Sequence, residues 1–431
     1  MSAPETGHLS DADPVRFLDD VRVLEIASLS PTQLGMHLAD LGADIIKIEP
    51  PVRGDTTRLV GTRPGFNDSA LHRRWNRGKR SIAVDMHTPE GIDLIRRLIP
   101  TVDIVIEGLR PGTLAKMGLT WSALTELKPN LVMVALSGYG QTGPYRNMPS
   151  HGIGFDAIAG LAGIEEDESG RPRMPSRHVY FGALVAPLFG ATSALAALSW
   201  CRRTGRPAFL DIAQSDAAAF ANYAVEEQVA ELRSAEAGVV VPPPTPPGDC
   251  TPPVPRSTMQ AYRTRDGRAL MLMTLERKFF VRLAEATGRP DLLAHVPENE
   301  YMVRGSTAID EVLTETIASR DLNDWMRIFA DADVPVVPVN ECAAVADDPQ
   351  MHARIEWLES DQATVTMKMP VRSDPPMASP RRAPSIGQDT ADILANIDVN
   401  PEEIARLTKE GVVRVFRPVD IDTRTYNPSN E

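Results

Sequence analysis

Two acidic side chains close apolar runs in the first part of the sequence. Glu49 ends the run ADIIKIE, and Glu107 ends the run DIVIE. If both runs are parallel strands, their carboxyl ends share one sheet edge, and open α/β sheets bind ligands in the crevice outside that edge. A carboxylate there can act as an acid or base, or it can be solvated or cap a helix. The edge is therefore a candidate site, with the role of the two carboxylates left open.

A basic segment and a glycine-rich segment could bind anions. Residues 72–80, HRRWNRGKR, place five cations around Trp75 just before another apolar run. Guanidinium groups match phosphate oxygens, so this segment is a candidate phosphate-binding loop, with a solvated loop as the alternative. Residues 138–144, GYGQTGP, could bring backbone N–H groups close to a ligand. His151 follows and is a candidate base, although a lone histidine is more often structural.

Common catalytic signatures are absent from the sequence. The turn after the first apolar run reads SLSPTQLG, without the glycines of a dinucleotide fingerprint, so NAD or FAD binding is not predicted. No GxSxG, HExxH or Walker motif is found, which removes support for the corresponding hydrolases and kinases. Cys201, Cys250 and Cys342 lie far apart and predict neither a disulfide nor a zinc site, and no other metal site is predicted.

Length and charge limit the classes of partner. The 431 residues suggest two or three domains, at roughly 100–200 residues each. The chain has 45 Lys and Arg residues and 58 Asp and Glu residues, which gives a net charge of −13. A negative charge of this size repels polyanions, so nucleic acid is not an expected partner. The polar, acidic start lacks the features of a signal peptide, and reduced cysteines fit a cytoplasmic protein. Residues 180–201 are uncharged, but their Ala, Gly, Ser and Thr content predicts a buried helix rather than a membrane span.

The apolar pattern predicts an open, doubly wound α/β sheet, because apolar runs alternate with helical segments. The predicted strands cover residues 21–27, 43–49, 81–85, 103–107 and 131–137. Helices are predicted over 31–41 and 89–98, as two or more buried helices within 155–200, and from 211 to about 236.

A second lobe is predicted beyond a proline-rich linker at 241–255. Residues 259–265 and 268–273 flank Asp266-Gly267, a strong hairpin signal. Helices over 276–287 and 308–330, the latter with an irregular middle, and a strand over 334–340 follow. The predicted organisation is a polar tail (1–17), the first part of a large domain (18–224), a small α+β domain (225–330) and a return to the large domain with a C-terminal tail (331–431).

Several motifs occur together in one order along the chain. They are VRVLEIASLSPTQLGMHLADLGADIIKIEPPVRGD, WNRGKRSIAVDM, EGLRPGTLAKMGL, LSGYGQTGPY and GFDAIAG, followed by YRTRDGRALMLMTLERKFF, VPVVPVNECAAVADDPQMHAR and PSIGQDTADIL. Together they resemble family III CoA-transferases, which include formyl-CoA and carnitine CoA-transferases and the α-methylacyl-CoA racemases. The resemblance covers the chain from about residue 18 to 395.

The resemblance implies a Rossmann-like large domain built from both chain ends, a small domain between them, and an interlocked dimer. It implies no covalently bound cofactor, with coenzyme A or acyl-CoA as substrate and a carboxylic acid as acceptor. Carried over by motif, the implied CoA contacts are Leu29, Ser30, Val84, Asp85, Met86, His87, Gly108, Leu109, Arg110 and Lys116. The basic segment fits this implication, because CoA carries a pyrophosphate and a 3′-phosphate.

The residue that carries the chemistry in this family is missing here. Family transferases attack the acyl-CoA thioester with an aspartate, and counting back from Arg203 places that position on Ala183. No Asp or Glu occurs anywhere between Glu168 and Asp211. Racemisation needs a His/Asp pair, but Phe155 stands at the histidine position. Asp156, which follows it, is interpreted as a helix-capping or hinge residue.

Three hypotheses follow from the resemblance and the missing aspartate. The chain is the silent subunit of a two-subunit CoA-transferase, completed by a paralogous subunit that carries the aspartate. Alternatively, it is a self-sufficient acyl-CoA enzyme, as a dimer with itself, whose acid or base is His151, Asp156 or Glu226. The third hypothesis is a non-catalytic protein that binds acyl-CoA.

Overall fold

The structure, a computed structural model, describes residues 13–61, 68–175, 177–237, 257–303, 305–358 and 366–417. The chain divides into two compact units. The larger unit comprises the residues up to Arg233 and those from Glu356 onwards, and the smaller unit comprises Ser234–Ile355. The proline-rich linker predicted at 241–255 lies outside the described residues, and the predicted domain boundaries stay a prediction.

The strands of the described residues are short and follow the apolar runs of the sequence. In chain order they are β1 (Arg22–Ile26), β2 (Asp44–Glu49), β3 (Arg80–Val84), β4 (Ile104–Glu107), β5 (Val132–Ser137), β6 (Glu165–Glu166), β7 (Pro172–Arg173), β8 (Ala208–Ala213), β9 (Met259–Arg263), β10 (Ala269–Met273), β11 (Val336–Pro338), β12 (Trp357–Leu358), β13 (Thr366–Met367) and β14 (Val413–Arg414).

The α-helices connect these strands and cover the sheets. In chain order they are α1 (Thr32–Asp40), α2 (Ala70–Trp75), α3 (Pro89–Leu98), α4 (Thr113–Lys116), α5 (Trp121–Leu127), α6 (Ile153–Ile158), α7 (Phe181–Thr204), α8 (Gln214–Ala221), α9 (Tyr223–Glu236), α10 (Arg277–Thr287), α11 (Thr307–Ile317), α12 (Leu322–Asp331), α13 (Pro349–Arg354), α14 (Thr390–Ala395) and α15 (Pro401–Lys409).

A sheet dominated by parallel strands forms the centre of the larger unit. Its order is β14-β3-β2-β1-β4-β5-β8, and β14, which pairs with β3, is the antiparallel strand. The five strands predicted from the apolar runs are confirmed as β1 to β5, all parallel. Because β1 pairs with β2 on one side and β4 on the other, the chain changes direction across the sheet between β1 and β4. This is the topological switch point, where open sheets of this kind bind ligands.

Helices cover both faces of the sheet. Leu94 of α3, Leu124 of α5 and Leu407 of α15 pack into the apolar core on one face. Leu34 of α1 and Ala194 of α7 pack into the core on the other face. Alternate residues of each strand enter opposite cores, which is why apolar residues stand side by side in these runs.

The prediction that a helix begins at residue 211 is wrong. Residues Ala208–Ala213 form β8, which pairs in parallel with β5 at the edge of the sheet, and the helix begins only at Gln214. The sequence AFLDIAQSDAAA favours a helix because its alanines have the highest helix propensity. Pairing with β5 overrides that propensity.

The uncharged segment 180–201 lies in α7 from residue 181 onwards. By length and composition alone, this helix is long and apolar enough to cross a membrane. It is also the longest helix of the described residues. Its small residues, such as Gly190 and Ala194, are buried and allow close packing against α1 and the sheet. Half of the most apolar 18-residue stretch of α7 is buried in this way, while Phe181, Leu184 and Leu188 are exposed.

The smaller unit contains a three-stranded sheet in the order β11-β10-β9. The predicted hairpin is confirmed: β9 and β10 pair antiparallel, and Gly267 at the turn has φ of 77°. The helix predicted over 308–330 is divided into two helices: α11 ends at Ile317 and α12 begins at Leu322. The break between them is the irregular middle expected from the sequence. Phe280, Trp325 and Phe329 are buried in the core of this unit.

Candidate functional site

The loops after β1 and β4 meet at the switch point. Gly108, directly after β4, donates its N–H to the Ile26 carbonyl oxygen at 2.9 Å. A Cβ on Gly108 would lie 2.7 Å from the Cβ of Pro31 and 2.8 Å from the Cβ of Ala27. These distances are too short for a side chain, so glycine is required for the two loops to approach this closely. The structure thereby brings the implied contacts Leu29 and Ser30 close to the segment 108–110.

Buried charges hold the β1–α1 turn in place. The Lys47 ammonium group donates to the Ala27 carbonyl oxygen at 2.8 Å, and the Lys79 ammonium group donates to the Thr32 carbonyl oxygen at 2.7 Å. Both ammonium groups also pair with the Glu25 carboxylate at 2.8 Å. All three charged side chains are fully buried. The turn contains no glycine, and Leu29 adopts φ of 58°, so this conformation depends on the anchoring contacts.

The interpretation of the basic segment as a phosphate-binding loop is wrong for three of its cations. Arg77 forms a bidentate ion pair with Asp40, Arg80 pairs with Asp44, and Lys79 pairs with Glu25. Partners far away in the sequence therefore neutralise these side chains. Burial, opposed by the Glu25 carboxylate, lowers the pKa of Lys79 to about 8.

The other implied CoA contacts lie along the same edge, where β3 and β4 end. Val84 is buried, while Asp85 and Met86 are half-buried. His87 is exposed, and its ring lies 3.0 Å from the Asp85 carboxylate. Val84 ends β3 and residues 85–87 follow it, and β3 is separated from β1 by β2. The structure therefore places residues 84–87 on the candidate edge but two strands away from Ser30.

The implied CoA contacts that follow β4 include two exposed cations. Leu109 is partly buried against the apolar core. Arg110 and Lys116 are exposed, and within the described part of the chain neither forms an ion pair. Both cations are therefore available to an anionic ligand at this edge.

The N-terminus of α7 lies beside the β1–α1 turn. Gln33 donates its side-chain N–H to the Ala183 carbonyl oxygen at 2.8 Å. Ser30 donates its hydroxyl to the Gln214 side-chain oxygen at 2.7 Å. A Cβ on Gly182 would lie 2.6 Å from the Gln214 carbonyl oxygen, so α7 packs closely against the start of α8. Ala183, the position to which the family's aspartate was counted, is thus a buried methyl group next to the switch point.

Asp156 is fully buried and binds the N-terminus of α7 rather than that of its own helix, α6. One carboxylate oxygen accepts the Gly182 N–H at 2.7 Å, and the other accepts the Phe181 N–H at 3.0 Å. The second oxygen also accepts the Nε2–H of His178 at 2.8 Å. The carboxylate thus caps α7 and satisfies N–H groups that have no partner within the helix.

His151 and Glu226, the other two candidate catalytic groups, are exposed. His151 lies in the loop before α6, and Glu226 lies in the first turn of α9. Among the described residues, no hydrogen bond connects either side chain to the switch point or to the N-terminus of α7. The structure therefore does not bring them together with the implied CoA contacts.

Glu107 ends β4 and is buried beside the switch point. Its Oε1 atom has no hydrogen-bond partner among the described residues. Burial raises the pKa of Glu107 to about 7, and the Leu114 N–H, which donates to the carboxylate, opposes that rise. Near neutral pH the group therefore exchanges between a carboxylate and a neutral acid. The sequence identified the position of this carboxyl at the ligand edge but not its burial.

The fold agrees with the comparisons to known proteins. The sequence profile of CoA-transferase family III matches residues 18–390. The chain belongs to CoA-transferase family III. Proteins of this family use CoA thioesters, and the described residues contain no group of three or more His, Cys, Asp or Glu suited to a metal ion.

Relatives in the family cover nearly the whole chain. The chain is 32% identical to the succinyl-CoA–D-citramalate CoA-transferase of Chloroflexus aurantiacus, over 94% of this chain and 100% of that protein. It is 29% identical to the succinyl-CoA–L-malate CoA-transferase alpha subunit of the same species, over 96% and 95% of the two chains. The crystal structure of a CAIB/BAIF family protein from Brucella suis matches with a TM-score of 0.71 and 28% identity, over 88% of this chain and 98% of that one.

The pair formed by Asp156 and His178 was not found from the sequence. The two residues are 22 positions apart, and no known motif joins them. His178 stands in a segment of mixed composition before α7, so nothing in its spacing indicated a buried partner. Only the approach of α6 to the start of α7 brings the imidazole to the carboxylate.

Proposed function

We propose that this chain binds acyl-CoA at the switch point and is the nucleophile-lacking subunit of a two-subunit CoA-transferase. The observation that carries the proposal is the absence of Asp and Glu between Glu168 and Asp211. CoA exchange between two carboxylates requires an enzyme carboxylate, which forms first an anhydride and then a thioester. At the position expected for it, Ala183 offers only a methyl group. The chain retains the fold and the binding edge without the group that performs the exchange.

The switch point supplies two elements that CoA needs. Arg110 and Lys116 are exposed cations on the edge where parallel strands end, and such cations bind phosphate oxygens. The turn with Leu29 and Ser30 is held rigidly by buried charges, so its conformation precedes ligand binding. A turn that is already ordered loses less entropy when a ligand binds. The ten implied CoA contacts are part of this proposal.

An exposed apolar surface supports a second chain as partner. Phe181, Leu184 and Leu188 of α7 are each more than 40% exposed, as are Phe220 and Tyr223 of α8 and α9. A cluster of large apolar side chains of this kind marks an interaction surface. We propose that an aspartate-bearing paralogue covers it in an interlocked dimer, with a second copy of this chain as the alternative. A relative named as an alpha subunit is consistent with a partner of a different sequence.

The substrates we propose are an acyl-CoA donor and a carboxylic acid acceptor. Both curated relatives described above are named as succinyl-CoA transferases, with citramalate or malate as the acceptor. Succinyl-CoA is therefore the donor to test first. A cytoplasmic location belongs to the same proposal, because acyl-CoA thioesters must reach the site.

The two alternatives have less support from the geometry. In a self-sufficient enzyme, His151 or Glu226 would have to act from exposed positions without a hydrogen bond to the candidate edge. Asp156 would have to attack with oxygens that already accept three hydrogen bonds. A non-catalytic acyl-CoA binding protein needs only the switch point, and it is distinguished by binding without turnover.

The test is to purify the chain alone and together with a co-expressed paralogue that carries the aspartate. CoA transfer from succinyl-CoA to a panel of carboxylic acids is followed by chromatography of the thioesters. We expect no transfer by the chain alone, transfer by the mixed complex, and co-purification of the two chains. Transfer by the chain alone that is lost in His151→Ala or Asp156→Ala would contradict the proposal and favour the self-sufficient enzyme. Binding of CoA without turnover with any partner would favour the binding protein.

A further inference from the structure

Asp156 fixes the tautomer and orientation of the His178 ring. The carboxylate accepts two backbone N–H groups, from Phe181 and Gly182, so it acts as a hydrogen-bond acceptor toward the imidazole as well. Nε2, at 2.8 Å from the carboxylate, is therefore the nitrogen that carries the proton. A neutral imidazole bonded in this way has its lone pair on Nδ1. No described residue forms a hydrogen bond with Nδ1.

This arrangement is one that makes histidine an effective general base. A buried carboxylate holds the ring in one tautomer and stabilises the imidazolium that forms when the ring takes a proton. The His178 side chain is 9% exposed and Asp156 is fully buried, so little water screens the pair. The ring also packs edge-on against Tyr180, with the ring centroids 5.7 Å apart, which limits its rotation. Among the described residues no hydroxyl or thiol is bonded to Nδ1, which leaves this nitrogen able to accept a proton from water.

The pair stands at the same helix terminus as the switch-point loop. Asp156 binds Gly182, and the next residue, Ala183, accepts a hydrogen bond from Gln33 in the first turn of α1. Ser30, an implied CoA contact, binds Gln214 at the start of α8. Close packing of Gly182 against Gln214 joins these contacts. A short chain of direct contacts thus connects His178 to the edge where the thioester is expected.

We propose that His178 is a general base that directs water onto a bound acyl-CoA thioester, which gives this chain a thioesterase activity of its own. The inference rests on the acyl-CoA binding of the proposed function and goes beyond CoA transfer. Nδ1 takes a proton from water while the water oxygen attacks the thioester carbonyl carbon. The carbon–sulfur bond then breaks, and the sulfur leaves as the CoA thiol with the proton that His178 returns. The products are a carboxylic acid and free CoA, and no electron is transferred to another molecule.

The missing aspartate favours this reaction over transfer. A carboxylate at Ala183 would attack the thioester itself and hold the acyl group as an anhydride. With a methyl group there, no enzyme-bound acyl group forms, and the thioester carbonyl is left for an activated water. The reaction needs one base and no second chain. It therefore distinguishes this chain from a subunit that serves only to complete a partner's site.

The test uses the purified full-length chain without a partner, with acetyl-CoA and succinyl-CoA as probes. CoA release is followed by chromatography, because Cys342 is exposed and would react with a thiol reagent. We expect hydrolysis above the buffer rate and a decrease in kcat of about 100-fold or more in His178→Gln, with KM unchanged. His352→Gln, a change at an exposed histidine, is the control and leaves the rate unchanged.

Rescue with added imidazole separates a base from a structural residue. In His178→Gly, imidazole in the buffer should restore part of the lost rate, which a role confined to holding α7 does not allow. Circular dichroism checks that this variant is folded, and if it is not, the division of the His178→Gln effect between kcat and KM decides the question. CoA binding measured by calorimetry without hydrolysis by the wild type would overturn this inference alone. Absence of CoA binding would overturn the proposed function as well.

Discussion

Replacing Glu107 with glutamine should stabilise the protein above pH 4.5, and most strongly above pH 7. The carboxyl is buried beside the switch point, and burial raises its pKa from 4.5 to about 7. The folded state therefore binds the proton more tightly than the unfolded chain does. The resulting contribution to stability is complete below pH 4.5 and is lost as the pH rises to about 7. Glutamine keeps the size of the side chain and carries no charge at any pH.

The size of the effect follows from the two pKa values. At about 1.4 kcal/mol for each pH unit between them, the ionised carboxylate lowers the free energy of unfolding by about 3 kcal/mol above pH 7. Near pH 5 the same relation gives a loss of only about 1 kcal/mol. Glu107→Gln should therefore exceed the wild type by a few kcal/mol at pH 8 and by much less at pH 5.

Urea unfolding followed by circular dichroism at pH 5 and pH 8 measures this difference. Glu126→Gln makes the same chemical change at an exposed carboxyl and should show no dependence of this kind. Equal effects of Glu107→Gln at the two pH values would refute the reasoning, because the carboxyl would then have an ordinary pKa. A variant less stable than wild type at pH 8 would show that the carboxylate has a partner that stabilises its charge.

Three further substitutions test the switch point, the buried charges and the missing nucleophile. Gly108→Ala should weaken CoA binding at least tenfold in calorimetry, because the alanine Cβ would push the two loops apart. The control is Gly163→Ala, whose Cβ would have no atom within 4 Å and should leave CoA affinity unchanged. Equal CoA affinities of the two variants would show that the loops do not form the site. Glu25→Gln leaves the Lys79 ammonium group buried without its carboxylate and should lower the free energy of unfolding by about 3–5 kcal/mol. The control Asp20→Asn breaks an exposed ion pair and should change the free energy of unfolding by less than about 1 kcal/mol. Similar losses in Glu25→Gln and Asp20→Asn would contradict a stabilising role of the buried Glu25 carboxylate. Ala183→Asp, but not Ala183→Asn, should form a covalent CoA adduct with acyl-CoA in intact-mass spectra, and absence of the adduct would place the nucleophile position elsewhere.

The central sheet could be predicted from the sequence because its strands are buried on both faces. The run 131–137 is apolar except for Ser137, and only a strand covered on two sides needs such a run. Strand β8 was missed because it lies at the sheet edge, where alternate residues are exposed, and its alanine-rich continuation favours a helix. For a strand of this kind, pairing decides the conformation and local preference does not.

The site was harder to predict because charges act over long sequence separations. The basic segment suggested phosphates, yet Lys79 finds Glu25 across 54 residues, and Arg77 finds Asp40 across 37. Composition shows that cations are present but not which of them are already neutralised. For the same reason, the carboxylate of Asp156 could be recognised as a capping group, while the helix that it caps and its histidine could not.

The position of β14 affects how the polypeptide folds as it leaves the ribosome. Val413 and Arg414 pair with β3, whose residues are synthesised more than three hundred positions earlier, and Leu407 of α15 enters the core on the same side. Until residues 413–414 emerge, β3 presents an unpaired edge, and such edges recruit other strands and promote aggregation. The large unit therefore cannot be completed before these residues are synthesised, and nascent chains are expected to need protection by a chaperone until then.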